Sequence, residues 1–447
     1  MSLKINGQLV TNVSLQGKSV VRILREDEVL WEKENLDYFY LENETDTEGT
    51  FTCTKTGSPA APNLEYSTDG VNWTTADMSD TWTTQVPARG MIYLRGDNGT
   101  SGFNRDISSY YYFSMDVDHS AHGNIMSIEN YNTMDEVTAV PYYCFGYLFK
   151  SDMNLIDANG MNFGNVTSIG DYGCREMFNG CSALTTAPDL SNLTSIGDYG
   201  CNSMFNDCSA LTTAPDLSNL TSINTNGCSN MFYYCTALTT APDLSNLTSI
   251  GYYSCRVMFN GCSALTTAPD LSNVTSIGDY GCDGMFNGCS NLQTVYAPNL
   301  ATWSTSFSNN WVYKAGSSAA EPKIMYFPSQ ALMDSYPSGA SGYGTYEKHL
   351  LNSIALHITT EFDGITYSVD DGEPIALPNK GYGNYFDIEI PDSANHITFH
   401  DTEPSKLRKI SYYVDGKEKD TNFLNGDITI EISNMNLDRP IDFHLYG

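Results

Sequence analysis

An eleven-residue segment, SALTTAPDLSN, begins at Ser182 and returns at Ser209 and Ser263, and as TALTTAPDLSN at Thr236. Successive starts are 27 residues apart. A fixed period of about 20–50 residues is typical of a solenoid, in which each unit buries its apolar face only against its neighbours. The repeat therefore excludes an ordinary globular fold for this part of the chain.

The same period extends beyond the eleven residues. A Met-Phe pair recurs from Met177-Phe178 to Met285-Phe286, and within one unit the apolar residues are three apart. Two cysteine series also follow it: Cys174, Cys201, Cys228, Cys255 and Cys282, and Cys181, Cys208, Cys235, Cys262 and Cys289. Strands show period two and helices about 3.6, so period three indicates short extended pieces around a narrow core. We predict these repeat core residues: Cys174, Phe178, Cys181, Leu184, Leu190 and Ile196.

A second pattern in each unit favours a short helix. Cys174, Met177, Phe178 and Cys181 lie at i, i+3, i+4 and i+7, which is one helical face over about two turns. Pro188 suits a corner, because it lacks an N–H and fixes its φ. Each unit is therefore predicted to hold a short strand, a corner and a short helix that ends near Gly180. Stacked units would place a sheet on one side and helices on the other, which is an α/β fold.

The pattern C-x2-L-x2-A-P-x-L, together with MFNGC, resembles the BspA-like leucine-rich repeat over about 150 to 200 residues. The resemblance implies an α/β leucine-rich-repeat solenoid. That repeat type occurs in surface proteins of gut bacteria and in tail or fibre proteins of their phages. The N-terminal segment LKINGQLVTNVSLQGKSVVRILREDEVLWEK is similar to a leader of phage virion proteins. The resemblance thus implies a structural or adhesive protein.

The flanking sequence divides into β-rich parts. Apolar runs with Gly at fixed offsets predict β-hairpins in a leader or anchor segment, residues 1–33. Runs such as TFTCTKT and MIYLRG predict a β-sandwich over residues 34–112. Degenerate units predict caps of a solenoid that covers residues 113–325. A linker over residues 326–352 precedes a second predicted β-sandwich, residues 353–447.

The charge and hydropathy of the chain argue against several classes of function. The 53 acidic and 22 basic side chains give a formal charge of −31, which argues against a nucleic-acid partner and against an anionic membrane surface. No stretch of about 18 apolar residues is present, so we expect no membrane insertion. The segment MSLKINGQLV lacks the apolar region of a signal peptide. That absence favours a phage protein made in the host cytoplasm and carried on the virion over an exported bacterial cell-surface protein.

The cysteines are predicted to be buried free thiols. Cys174 and Cys181 would lie two helical turns apart, roughly 10 Å, which is too far for a disulfide. Equivalent cysteines of adjacent units would be separated by the spacing of helix layers, also about 10 Å. No CxxC pair occurs in the sequence, so the spacing does not favour a metal site.

Two residue series are candidates for ligand contact. Tyr172, Tyr199, Tyr253 and Tyr280 recur at one position of the unit, interrupted by Asn226. Aromatic rows can stack on sugar rings, or they can pack between units. Asp189, Asp216, Asp243 and Asp270 form a second series, which is either solvated at a corner or bridged by Ca²⁺. We predict the tyrosines as the ligand-contact residues.

Three short motifs have structural alternatives. YSTDGVNW (residues 66–73) resembles the Asp-box hairpin of sialidases and related β-proteins, which is itself structural. RGD at Arg95 is a three-letter match that could suggest integrin binding. DVDHSAH groups Asp116, Asp118, His119 and His122, which are plausible ligands of a cation or simply solvated.

We therefore predict no catalytic residue, no metal and no cofactor. The predicted function is a non-enzymatic virion structural or adhesive protein, such as a phage fibre or receptor-binding component. Its expected partners are other virion proteins through the N-terminal segment and a glycan or protein of a bacterial surface, and it could form a homo-oligomer. The alternative is a bacterial cell-surface leucine-rich-repeat adhesin. A third class of function is an enzyme that acts on host glycans.

Overall fold

The structure, a computed structural model, describes residues 38–98, 102–301, 303, 310–336 and 346–350, together with strand segments within 3–32 and 353–446. The chain divides into two compact units. The first comprises residues 1–324 and 336–346, and the second comprises residues 325–335 and 347–447. No helix in the part of the chain that the structure describes has the length and apolarity needed to cross a bilayer.

The N-terminal segment forms three antiparallel strand pairs, as the Gly spacing predicts. Their strands are β1 (Leu3–Ile5), β2 (Gln8–Val10), β3 (Ser14–Leu15), β4 (Lys18–Ser19), β5 (Arg22–Arg25) and β6 (Glu28–Glu32). Each strand pairs with the next along the chain, in the order β1 with β2, β3 with β4 and β5 with β6. Such two-stranded pairs are marginally stable on their own.

Two sheets follow in the first unit. Their strands are β7 (Phe39–Asn43), β8 (Gly49–Thr56), β9 (Glu65–Ser67), β10 (Thr74–Thr75), β11 (Trp82–Val86), β12 (Met91–Arg95), β13 (Tyr110–Met115) and β14 (His119–Asn124), and helix α1 (Met126–Asn130) comes next. Buried and half-buried residues alternate along β7, β8 and β13, as expected when one face of a strand is buried in the core. Phe39, Phe51 and Phe113 are fully buried in this core.

The first β-rich region continues past its predicted end at residue 112. That boundary lies inside β13, and β14 pairs in parallel with β16 (Leu155–Asn162) at the first degenerate repeat. The larger sheet has the order β10-β9-β12-β7-β14-β16, and the smaller one has the order β11-β8-β13. One strand of the solenoid cap thus extends the sheet of the preceding region, which the repeat pattern alone cannot show.

The repeats stack through two-residue parallel strands. These are β15 (Ala139–Val140), β17 (Ser168–Ile169), β18 (Ser195–Ile196), β19 (Ser222–Ile223), β20 (Ser249–Ile250) and β21 (Ser276–Ile277). Serine pairs with serine and isoleucine with isoleucine from β17 to β21. This register places identical side chains above one another. The structure buries all six predicted core residues, none more than 2% exposed.

The predicted helix of each unit is wrong. Residues 171–181 form consecutive turns, and buried pairs alternate with half-buried pairs at a period of four. Tyr172, Glu176 and Gly180 have positive φ values of 58°, 53° and 79°. A right-handed helix excludes such residues, whereas a period of four also produces the i, i+3, i+4, i+7 pattern. The fold class is therefore a β-solenoid rather than α/β, since helices are scarce in the described residues.

Between the repeats and the last two sheets, the described elements are short. They are β22 (Thr294–Tyr296), β23 (Ile324–Phe327), helix α2 (Gln330–Ser335) and β24 (Glu347–Leu350). The last three lie partly or wholly in the predicted linker, so this stretch contains regular structure.

The second unit contains two further sheets. Their strands are β25 (Ser353–Thr360), β26 (Ile365–Val369), β27 (Ile375–Ala376), β28 (Tyr385–Pro391), β29 (His396–Asp401), β30 (Arg408–Val414), β31 (Lys417–Leu424), β32 (Ile428–Glu431) and β33 (Ile441–Tyr446). One sheet has the order β28-β25-β33-β30-β31 and the other β27-β26-β29-β32. Ile397 and Phe399 are fully buried.

Candidate functional site

The turn segments, residues 171–181 and their equivalents, are held by two alternating sets of backbone hydrogen bonds. Cys174 N–H donates to Gly200 O in the next unit at 2.8 Å, whereas Arg175 N–H donates to Tyr172 O in its own unit at 3.1 Å. The alternation continues along the segment. Every second N–H joins adjacent units and the others close β-turns, so this face is a rigid array of turns with identical positions in register.

The turn face carries a column of tyrosines, which we call the tyrosine column. It consists of Tyr143, Tyr172, Tyr199, Asn226, Tyr253 and Tyr280, and every member has a φ of 54–58°. The predicted ligand-contact residues Tyr172, Tyr199, Tyr253 and Tyr280 all belong to it. A positive φ suits Gly or Asn and is strained for a bulky side chain. Backbone preference therefore does not account for the tyrosines at this position.

The rings of the column stack on one another. Ring centroids are 4.8 Å apart for Tyr172 and Tyr199, with an interplanar angle of 7°, and 5.0 Å apart for Tyr253 and Tyr280, with an angle of 8°. Tyr143 stacks on Tyr172 at 4.6 Å. The rings of Tyr172, Tyr199 and Tyr253 are half-buried and that of Tyr280 is exposed. The rings of the column thus pack between units and also form part of the protein surface.

Two further tyrosines widen this aromatic surface. Tyr142 lies edge-on to Tyr143, and Tyr252 lies edge-on to Tyr253 at 4.2 Å. Both are about half exposed, at 55% and 47%. Burial, followed by the neighbouring Tyr199, raises the pKa of Tyr172, and a hydrogen bond with Tyr253 is the main cause that raises the pKa of Tyr252. These phenols stay neutral hydrogen-bond donors and acceptors near neutral pH.

The sequence pattern missed Tyr143 because the cap unit has a different length. Tyr143 lies 29 residues before Tyr172, not 27. A signal was present, since YLF from Tyr147 matches EMF from Glu176 at the same spacing of 29 residues, and four residues earlier the same alignment pairs Tyr143 with Tyr172. The structure confirms this alignment, because Tyr147 N–H donates to Arg175 O just as Glu176 N–H donates to Asn202 O.

The aspartate series is engaged in local turns. Asp216 Oδ1 accepts a hydrogen bond from Ser218 N–H at 2.8 Å, and Asp243 does the same with Ser245. Asp189 and Asp270 accept equivalent bonds. An Asp that bonds to the backbone two residues on stabilises a turn. The structure therefore gives this series a role in the corner that follows Pro188.

The four residues grouped as possible cation ligands do not converge. Asp116 Oδ1 accepts from Thr50 N–H, and His119 is fully buried against Asp152, with 3.1 Å between Nε2 and Oδ2. His122 instead stacks on the Tyr40 ring at 4.9 Å.

A different group in the described part of the chain could hold a metal ion. Glu42, Glu44 and His122 offer ligand atoms within 4.8 Å of one another. Two of these atoms already have protein partners, because Ser120 Oγ donates to Glu44 at 2.6 Å and lies 2.8 Å from His122 Nε2. These contacts make the group a polar cluster beside β7 and β14, and we assign no metal to it.

The RGD and Asp-box motifs meet in one structural cluster. The Arg95 guanidinium lies 3.9 Å from the Trp73 ring centroid and 4.5 Å from that of Tyr131, and its Nε donates to Glu65 at 2.7 Å. Asp69 Oδ1 accepts from the N–H groups of Val71 and Asn72. The arginine is thus packed under the hairpin and is not presented as an integrin ligand.

All twelve cysteines are buried and free. The spacing argument behind that prediction is corrected, however, since equivalent units are one strand spacing apart, about 4.8 Å, and not a helix layer apart. Members of the second series donate across the interface, as Cys208 Sγ does to Phe178 O at 3.1 Å. Burial raises the pKa of Cys255 to about 12, and a thiol without thiolate character is chemically inert.

Comparison with known families agrees with this geometry. Residues 147–293 match the BspA type Leucine rich repeat region, in six copies. The repeats of this part of the chain are therefore similar to leucine-rich repeats of the BspA type, in agreement with the observed solenoid. No curated protein matches the chain. No solved structure matches it either. A repeat of this type suggests a role in protein interaction or adhesion.

Proposed function

We propose that this protein is a non-enzymatic adhesive component of a virion, such as a phage fibre or receptor-binding protein, that recognises a bacterial surface. The observation that carries the proposal is the tyrosine column. It presents stacked, half-exposed rings on a rigid array of turns, at a backbone position where tyrosine is not the favoured residue. Large rigid aromatic side chains supply contact area at little cost in conformational entropy.

Repetition supports adhesion rather than catalysis. The column offers the same group on successive units, which suits a target that is itself repeated, such as a surface polymer. The carboxylates that recur along the solenoid, Asp189 and its equivalents, bond to the backbone of their own turns. Their role is accordingly in the framework. We assign no catalytic residue and no cofactor to the protein.

The virion assignment draws on the leader-like sequence of residues 1–33, which forms three strand pairs. Pairs of this size need a neighbour to be stable, so docking onto another virion protein is a suitable role for them. The second candidate is a bacterial cell-surface adhesin. The observation that favours it is the BspA-type repeat itself, which resembles repeats of bacterial surface proteins.

The test is binding of the purified full chain to intact gut-bacterial cells, measured by flow cytometry. The Tyr253→Ala, Tyr280→Ala double variant should lose most of the binding. The matched control is Met153→Ala, which removes another exposed side chain of the solenoid, 66% exposed, and should bind as the unaltered chain does. Binding to no bacterial surface would remove the adhesive proposal.

The virion and cell-surface assignments need a separate measurement. Mass spectrometry of purified phage particles should find the protein among the structural components. Its detection on intact bacterial cells, and not in particles, would favour the adhesin.

A further inference from the structure

One position of the tyrosine column lacks an aromatic ring, but the backbone at that position has the same conformation as at the others. Tyr199 N–H donates to Thr225 O at 3.0 Å, and Asn226 N–H donates to Tyr252 O at 3.0 Å. Asn226 also keeps the positive φ of the column, 54°. Asn is the residue other than Gly that best tolerates this conformation. The aromatic ring is therefore absent at Asn226, while the backbone turn at this position is unchanged.

A gap of defined width follows from this arrangement. Tyr199 and Tyr253 belong to units two strand spacings apart, about 10 Å. Each is held parallel to its outer neighbour, within 7° and 8°. Tyr252 packs edge-on against Tyr253. The space between the rings of Tyr199 and Tyr253, with Asn226 as its floor, is called here the Asn226 slot.

The geometry points to a function: we propose that the Asn226 slot binds a neutral hexose or N-acetylhexosamine ring of a surface polysaccharide. This inference rests on the proposed adhesive role and specifies its ligand. A pyranose ring has the footprint of the missing phenol ring and carries C–H groups on both faces. It can therefore pack against Tyr199 and Tyr253 at once, and its pucker makes it thicker than a flat ring.

Polar groups around the slot favour a sugar over an aromatic side chain of a protein. The Asn226 side-chain amide makes no hydrogen bond to the residues that the structure describes, so its two donors and its acceptor are open to hydroxyl groups. Asp198 uses Oδ1 to accept from Thr225 N–H at 3.1 Å, which leaves its second oxygen for a ligand hydroxyl. A hydrocarbon ring would leave these groups unpaired, which is costly.

Charge selects a neutral sugar. Carboxylates precede the tyrosines of the column at Asp171, Asp198 and Asp279, and the formal charge of the chain is −31. An anionic sugar such as a sialic or uronic acid would be repelled from this surface. The slot is thus suited to uncharged rings.

The decisive variant fills the slot. Asn226→Tyr should complete the ring stack and raise the unfolding temperature, and it should lower affinity for the sugar at least 10-fold. Asn226→Ala is the matched control, because it leaves the slot open and removes only the amide. It should weaken binding by less than 10-fold. The probes are immobilised neutral oligosaccharides of glucose, galactose, mannose and N-acetylglucosamine, followed by titration of the best binder.

Two results would contradict the proposed sugar site. The inference is overturned if no neutral oligosaccharide binds at millimolar concentration, or if Asn226→Tyr binds as well as the unaltered chain does. Cell binding separates this inference from the proposed function. If Asn226→Tyr binds cells as well as the unaltered chain does, the sugar site in the Asn226 slot is refuted and the proposed adhesive function still stands.

Treatment of the cells distinguishes a sugar from a protein ligand. Periodate cleaves vicinal diols of sugars, and protease removes surface proteins. Slot-dependent cell binding should be lost after periodate and kept after protease. The reverse result would replace the sugar by a protein side chain and overturn the inference.

Discussion

His119 and Asp152 form an ion pair that is excluded from solvent. Both side chains are 1% exposed or less, and Nε2 lies 3.1 Å from Oδ2. Nδ1 of the same ring lies 3.0 Å from Val117 O. Because the Val117 carbonyl only accepts, Nδ1 carries a proton, and a second proton on Nε2 makes the ring a cation beside the Asp152 carboxylate. Burial alone would lower the pKa of His119, but the pair with Asp152 and the Val117 carbonyl outweigh it and raise the pKa.

This pair makes the stability of the first β-rich region depend on pH. Because the pKa of His119 is raised on folding, its contribution is complete below about pH 6.5 and is lost as the pH rises through the folded value. Asp152→Asn should lower the free energy of unfolding by about 3–5 kcal/mol at pH 6, and by less at pH 9. Urea denaturation followed by hydrogen exchange in β14 measures this.

The control for that prediction is Asp118→Asn, because Asp118 is exposed and acts on His119 only through its charge. It should cost under about 1 kcal/mol. Equal stability of Asp152→Asn and the unaltered chain at both pH values would contradict the ion-pair account. The sequence could not show this pair, since Asp152 lies in the solenoid cap and His119 in a strand of the preceding region.

At the scale of elements, the same glycine substitution should change stability in opposite directions in a turn segment and in a helix. Gly284 lies in the middle of the segment with a φ of 61°. In a helix, Gly284→Ala would stabilise the protein by about 1 kcal/mol. In the turn structure it should destabilise by about 1–2 kcal/mol, because Ala is strained at positive φ. Thermal unfolding that is monitored in the repeat region decides the sign.

Gly284→Asn serves as the comparison for this variant, because Asn tolerates a positive φ. Its loss of stability should be smaller than that of Gly284→Ala. A rise in stability for Gly284→Ala would restore the helix and overturn the turn assignment.

The repeat period and the buried core could be predicted from the sequence because identical units must bury identical positions. Leu184, Leu190 and Ile196 follow directly from the third-residue rhythm. The conformation of residues 171–181 could not, since a period of four and a period of 3.6 place the same four residues on one face over so short a segment. The distinguishing feature, a positive φ at every fourth residue, is obscured because Tyr and Glu occupy positions where Gly is expected.

Stacking also makes the effect of a core mutation local. Leu211 is fully buried in a middle unit, and Leu211→Ala removes its side chain and leaves a cavity, which should cost about 2–5 kcal/mol. Because each unit contacts mainly its neighbours, hydrogen exchange should increase in the adjacent units and stay unchanged in residues 353–447. The control Thr212→Ala, at an exposed position, should change stability by less than about 0.5 kcal/mol. Deprotection of every region together would contradict modular stability.

At the scale of the whole molecule, acidity and repetition suit a chain that works at a surface. The charge of −31 keeps copies of the chain apart through mutual repulsion. The solenoid buries Cys, Leu, Phe and Ile at the same positions in successive units, so additional units extend the surface without a new core. The sequence conveys this much, but the identity of the ligand depends on side-chain geometry such as the Asn226 slot.

The proposed division of roles along the chain leads to the last prediction. Residues 1–33 form strand pairs that need a neighbour, so we expect them to dock onto a larger assembly. Deleting them should abolish incorporation into phage particles and leave a folded chain that still binds cells, because the tyrosine column is retained. Deleting residues 353–447 should leave incorporation intact, and cell binding should also persist, because this deletion too retains the tyrosine column. Particle mass spectrometry and flow cytometry measure the two properties. Incorporation that survives the first deletion and fails after the second would reverse the roles of the two ends, since the docking contacts would then belong to the C-terminal sheets.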